Sequence, residues 1–147
     1  MDIKDILTPA STKNAVRGTS KKRILETLSV LAAEVTTDID SEEALKSLIC
    51  RERMGSTGIG HGIALPHGRI AGLSKPVAVA ITCKPAIEFD ALDNQPVDIF
   101  FALLVPDNET KTHLQVLSTV ASKLNDRDIV RKLRKAETDQ ALYEALV

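Results

Sequence analysis

The stretch "VDIFFALLV", residues 97–105, is apolar at odd and even positions alike. A strand with this pattern buries both of its faces, so it belongs in the middle of a sheet with helices packed on either side. The segments around it fit that frame. "GIALPHGRI" (62–70), "PVAVAITC" (76–83) and "AIEF" (86–89) are short apolar or alternating runs bounded by Gly and Pro, and they read as further strands. Before them, "TSKKRILETLSVLAAEV" (19–35) repeats Ile24, Leu25, Leu28, Leu31, Ala32 and Val35 at helical spacing behind a Thr19 or Ser20 cap. In "DIDSEEALKSLICRERM" (38–54), Asp40 and Glu43 have the layout of a capping box. Ala44, Leu45, Leu48 and Ile49 form its apolar stripe, and Gly55 is placed to end the helix. After the central strand, "NETKTHLQVLSTVASKL", "DRDIVRKLRKA" and "TDQALYEALV" read as three helices, with breaks at Asn125 and at Glu137 to Thr138. The fold expected is a three-layer α/β/α sandwich around a mixed central β-sheet.

With 147 residues the chain has the length of one domain, expected to span 1–147. Its 19 Lys and Arg against 20 Asp and Glu leave a formal net charge of −1, so no global positive field points to nucleic acid or to acidic membranes. Cys50 and Cys83 form neither a C-x-x-C pair nor a disulfide-dense pattern and read as two buried thiols in a reducing compartment. The opening "MDIKDILTPAS" lacks a basic segment followed by a long apolar run, and no later stretch is long enough to span a bilayer. The expected location is the cytoplasm, without membrane insertion.

The segment "GSTGIGHGIALPHGR" (55–69) holds five glycines and two of the three histidines. Gly55, Gly58, Gly60 and Gly62 follow a helix directly, and such glycines can turn successive N–H groups toward one point, as in an anion cradle. Ser56, Thr57 and His61 add side-chain donors, which makes Ser56, Thr57, Gly58, Gly60 and His61 the candidate phosphate-binding residues. The Gly-Lys-Ser/Thr ending of a P-loop is missing, and nucleotide binding by this loop is not expected. Pro66 biases Leu65 toward extended backbone and so stiffens the approach to His67. An imidazole beside an anion cradle suits nucleophilic attack on a phosphoryl group. Arg51, near the end of the preceding helix, is close enough in sequence to offer its guanidinium to the phosphoryl oxygens, although it also fits an ordinary surface position. His113, just after the central strand, sits where ligands gather in sheet-and-helix folds.

The run "RERMGSTGIGHGIALPHGR", together with "FALLVP" and "THLQVLSTVASKL", resembles the enzyme IIA domains of the phosphoenolpyruvate-dependent phosphotransferase system, in the mannitol, fructose and nitrogen-regulatory branch. The resemblance runs over nearly the whole chain. It implies that His67 is phosphorylated, that Arg51 steadies the phosphorylated state and that His113 is a second imidazole at the site. It also implies an HPr-type phosphocarrier as donor and no metal or organic cofactor. Two outputs follow from it. A regulator binds target proteins, such as transporters or sensor kinases, according to its phosphorylation, whereas a sugar-specific enzyme IIA passes the phosphoryl group to an enzyme IIB. Either way the chain is a phosphotransferase component rather than a complete enzyme. Where the family pattern has "GNG", this chain has "GHG", so His61 stands in the place of an asparagine. Two other readings compete: a zinc hydrolase with His61, His67 and His113 as ligands, and a binding module whose phosphate chemistry has been lost.

Overall fold

The computed structural model of the chain describes residues 2–108 and 110–147. Its elements run β1 (Thr12–Arg17), α1 (Lys21–Val35), α2 (Ser41–Arg53), β2 (Gly58–Gly60), β3 (Ile63–Ala64), β4 (His67–Ile70), β5 (Val77–Ile87), β6 (Val97–Pro106), α3 (Thr110–Leu124), α4 (Arg127–Lys135) and α5 (Asp139–Leu146), after two short 3-10 turns. The helix expected from residue 108 includes Glu109, which lies outside the described residues. Among those described, no helix is long and apolar enough to cross a membrane.

The sheet order is β1-β5-β6-β3-β2, and β4 continues the line of β3 along β6. Strand β6 pairs antiparallel with β5 and parallel with β3 and β4, and β1 pairs parallel with β5, so the sheet is mixed. The double-faced reading of β6 is realised residue by residue. Phe100, Ala102 and Leu104 pack toward α1 and α2, while Phe101, Leu103 and Val105 pack toward α3, α4 and α5. The alternation is the period-2 geometry of a strand, and it divides the apolar interior into two cores, one on each side of the sheet.

The helices begin where their caps predict. Ser20 Oγ accepts from the Arg23 N–H at 3.2 Å, and Asp40 Oδ2 accepts from the Glu43 N–H at 3.1 Å. Only this half of the expected capping box forms. Two other expectations need correction, and one strand has no counterpart among them. Strand β1 was not legible, because "TKNAVR" mixes charged, polar and apolar residues and its register on β5 shifts between Lys13 and Val16, with Ala15 at φ 54°. The run "AIEF" is no separate strand: β5 extends to Ile87, which pairs with Val97. Cys50 is exposed on α2, and only Cys83 is buried, where loss of solvent pushes its thiol up to about 11.

The packing of α2 on β4 sets up the site. Ser47 Oγ donates to the Arg69 carbonyl at 2.9 Å, tying the helix to the strand. That approach requires a glycine at 68, because a Cβ there would lie 2.1 Å from Ser47 Oγ and 3.0 Å from Ser47 Cβ. Gly68→Ala is therefore expected to push α2 off the sheet and to lower unfolding free energy by about 1–3 kcal/mol in a urea titration. An unchanged midpoint would show that the helix is held elsewhere.

Candidate functional site

His67 opens β4 at the point where its chain meets the central strand. Its register partner is Leu103, and the Leu103 N–H donates to the Pro66 carbonyl at 2.9 Å. The Leu65 N–H donates to the Thr57 carbonyl at 3.0 Å, so the stiffened Leu65–Pro66 approach is fixed from both sides. The half-buried ring is oriented by two bonds. Nδ1 lies 2.7 Å from the Leu65 carbonyl, and Nε2 lies 3.1 Å from Arg51 Nε. A carbonyl only accepts and a guanidinium only donates. The neutral ring therefore carries its proton on Nδ1 and presents a lone pair on Nε2. Burial holds the His67 pKa below its ordinary value; Leu65 opposes that shift and the Arg51 charge adds to it.

His113, on α3, brings a second ring to 5.4 Å from the first, centroid to centroid, with the planes 87° apart. Its pKa is also lowered, chiefly by burial and then by the charges of His67, Arg69 and Arg51. Arg51 has a further anchor: its Nη1 donates to the Gly55 carbonyl at 2.9 Å. These three residues border an open cleft of about 750 Å³ between α2 and β4. Lys46, Cys50 and Arg69 also line it. No motif marked them, but spacing did carry the signal. Residues 46, 47, 50, 51 and 54 share one face of a helix, and Arg69, two residues after His67, shares its face of the strand. The cleft thus sets Lys46, Arg51 and Arg69, against the one carboxylate of Glu43, around two imidazoles whose neutral form is favoured, a setting that attracts an anion and offers it one nucleophilic nitrogen.

The glycine-rich loop lies apart from this cleft. Thr57 donates through both its N–H and its hydroxyl to the buried Glu52 carboxylate, the latter at 2.6 Å. The Ser56 hydroxyl donates to the Phe89 carbonyl and accepts from the Gly58 N–H, each at 3.1 Å. Gly58 is pressed against Ala91, where a Cβ would come within 2.6 Å. Strands β2 and β3 pair antiparallel through Gly60 and Ile63, leaving His61 and Gly62 as a two-residue hairpin turn with φ of 57° and 78°. Positive φ at both central positions is the signature of the type I′ turns that join tight hairpins, which favour Asn-Gly. The His61 side chain is exposed, and its N–H donates to Asp93 Oδ2 at 3.1 Å. The histidine trio of a zinc site is therefore not assembled, and among the described residues no three His, Cys, Asp or Glu side chains are grouped to hold a metal ion.

With this fold and site in view, the comparisons define the class. The chain belongs to the family described as phosphoenolpyruvate-dependent sugar phosphotransferase system, EIIA 2, whose model matches residues 5–147. Within that class the particular likeness is to proteins named nitrogen regulatory protein. That of Klebsiella oxytoca is 46% identical over 99% of this chain and 90% of its own length. The Escherichia coli (strain K12) protein is 44% identical with the same coverage. The crystal structure of nitrogen regulatory protein IIA-Ntr from Neisseria meningitidis superposes with a TM-score of 0.91 at 34% identity, covering 99% of each chain.

Two measurements test the local geometry. Asn at 61 fits the left-handed turn as well as His or better, so His61→Asn is expected to retain full stability, whereas the β-branched His61→Val costs about 1–2 kcal/mol in denaturant melts. The imidazoles give a pH signature. Both titrate below 6.5 in the fold, so the unfolded chain binds more protons in the window beneath that value. The stability they contribute is complete above 6.5 and falls away as pH drops toward their folded values. The slope of stability between about pH 7.5 and about pH 5.5 should flatten in a His67→Gln/His113→Gln double variant.

Proposed function

We propose that the chain is a cytoplasmic phosphohistidine carrier with a regulatory output, and that His67 Nε2 accepts a phosphoryl group from an HPr-type carrier. The observation that carries this reading is the pair of bonds on the His67 ring: Nδ1–H on the Leu65 carbonyl and the Nε2 lone pair facing Arg51. In the transfer, the Nε2 lone pair forms a bond to phosphorus. The N–P bond of the donor phosphohistidine breaks, and its electron pair returns to the donor ring. The proton on Nδ1 stays in place, where the Leu65 carbonyl stabilises the positive charge that the ring acquires. Arg51 moves from the lone pair to the phosphoryl oxygens, matching its planar fork to their geometry. His113 donates an N–H to the same oxygens. No metal or organic cofactor enters the step, since positioning and charge stabilisation are sufficient for exchange between two imidazoles.

In this reading Ser56, Thr57, Gly58, Gly60 and His61 serve as scaffold beneath the site rather than as ligands of the phosphate, since the Ser56 and Thr57 hydroxyls and the Thr57, Gly58 and His61 N–H groups are already engaged within the fold. Met54, 80% exposed at the mouth of the cleft, and Leu114, 63% exposed beside His113, give a docking carrier apolar contact around the reacting ring. The likeness to nitrogen regulatory proteins favours signalling through phosphorylation-dependent binding of targets such as transporters or sensor kinases over supply of a sugar-specific enzyme IIB.

Incubation with phosphoenolpyruvate, enzyme I and the cognate carrier is expected to add one phosphoryl group, read by intact mass. His67→Ala should fold and accept none; undiminished labelling would remove the central claim. Arg51→Lys keeps the charge but loses the fork, and its transfer rate should fall about tenfold or more, roughly 1.4 kcal/mol of transition-state stabilisation. His113→Ala should slow acceptance and alter the lifetime of the phosphorylated form.

A further inference from the structure

A second cationic cleft lies on α4, at the β2–β3 hairpin and outside the His67 site. Helix α4 carries Arg127, Arg131, Lys132, Arg134 and Lys135 against one acidic residue, Asp128, in a chain whose net charge is −1. Arg127, Arg131 and Lys135 recur at four-residue spacing and so share one face, about 6 Å apart from one turn to the next. That face lines a cavity of about 470 Å³, closed at one side by His61 and floored by Ile63 and Val130.

Arg134 is the fixed member of the group. It is held by two bonds to Asp98, each 3.0 Å, and by another to the His61 carbonyl. A carboxylate thus neutralises it, and its position ties α4 to the hairpin. Arg131 has only the exposed Asp128 at 3.2 Å, and Arg127 and Lys135 have no ion pair among the described residues. This arrangement costs the helix stability. Like charges four apart repel, and Arg127 at the first helical position opposes the positive end of the helix dipole. That end already has its acidic residues, Asp126 as N-cap and Asp128 in the first turn, so a further cation there adds nothing to the fold. The uncompensated charges are better matched to an anion outside the fold.

The nature of that anion follows from the shape of the cleft. Among the described residues none of the large exposed apolar side chains lines this cavity, although Ile59 sits on the β2 strand of the same hairpin. The cavity volume is that of a small-ligand site. Guanidinium groups on successive turns suit phosphates held a few ångströms apart on one molecule. We propose that this cleft binds a small, multiply phosphorylated anion, with Arg127, Arg131 and Lys135 taking its phosphate groups and Arg134 serving as the fixed wall.

The test is a titration of the full-length, ¹⁵N-labelled chain with inorganic tripolyphosphate, with ATP and, separately, with a short polyglutamate peptide. The expected result is a saturable set of amide shifts in residues 124–135 and 60–63 with both phosphate probes, and none of comparable affinity with the peptide. Tripolyphosphate alone would place recognition in the phosphate chain, and ATP alone in a phosphate chain carrying an organic body; either supports the site. Arg127→Gln/Arg131→Gln should weaken binding about tenfold or more, while His67→Gln leaves it unchanged. Shifts centred on the cleft around His67, equal binding by the double variant, equal binding of polyglutamate, or no saturation at millimolar probe would each overturn the proposal.

Discussion

A buried carboxylate, Glu52, holds the end of α2 from which Arg51 reaches His67. Its side chain is 4% exposed and receives Lys21 Nζ at 3.1 Å together with the N–H and hydroxyl of Thr57. Lys21 extends the network: it donates to the Phe89 carbonyl at 3.2 Å and lies 4.6 Å above the Phe89 ring, which packs edge-on against Phe100 of the central strand. One charge thus ties α1, α2, the glycine-rich loop and the sheet together. Removing Lys21 would leave the Glu52 charge without its cation in a poorly solvated place, at a cost of several kcal/mol, whereas Lys21 is partly exposed and also pairs with Asp90 at 3.6 Å. The contact at Gly68 adds the second constraint. Glu52 fixes the end of the helix along its axis, and Gly68 fixes how closely its flank meets β4. Between them, the guanidinium of residue 51 has little choice of position.

The same rigidity explains the electrostatics. Two imidazoles and several cations share a partly buried cleft, and burial and mutual repulsion both disfavour protonation of the rings. The neutral form of both histidines is thereby favoured. That bias is useful for the proposed chemistry, since an anionic phosphoryl donor is attracted by the arginines and meets a ring with a free lone pair. The Leu65 carbonyl gives the arrangement its direction by fixing which nitrogen keeps the proton.

Much of the fold was legible because β6 has an unambiguous pattern and the helices have strong stripes and caps. Strand β1 was hidden because it lies at the sheet edge and is bulged, so its polar residues follow no clean alternation. The glycine-rich loop shows a different kind of ambiguity. Glycines beside hydroxyl residues look alike whether positive φ aims N–H groups at an anion or turns a tight hairpin. The deciding partners, Glu52 and Phe89, make contacts that composition does not reveal. The asparagine that the resemblance implies for position 61 carried the missing clue, since Asn-Gly is a hairpin pair, and histidine is among the residues that tolerate the same backbone region. At the His67 site, the motif marked His67 and the arginine that bonds to it, whereas Arg69, Lys46 and Cys50 emerge only once the strand and helix faces are known.

Arg51 also shows why a guanidinium suits this place better than an ammonium would. In the resting structure its two bonds use different nitrogens, Nη1 on the Gly55 carbonyl and Nε on His67. In the proposed transfer only the second bond has to give way. The side chain can therefore pivot about its anchor on Gly55 and bring the remaining N–H groups onto the phosphoryl oxygens without crossing the cleft. An ammonium on a flexible stem would have to choose among the same partners with no fixed angle between its donors. The loop after α2 thus contributes to the site through a single backbone carbonyl. That carbonyl holds the arginine beside His67 in the resting structure and, in the proposed transfer, gives it a fixed point to turn on.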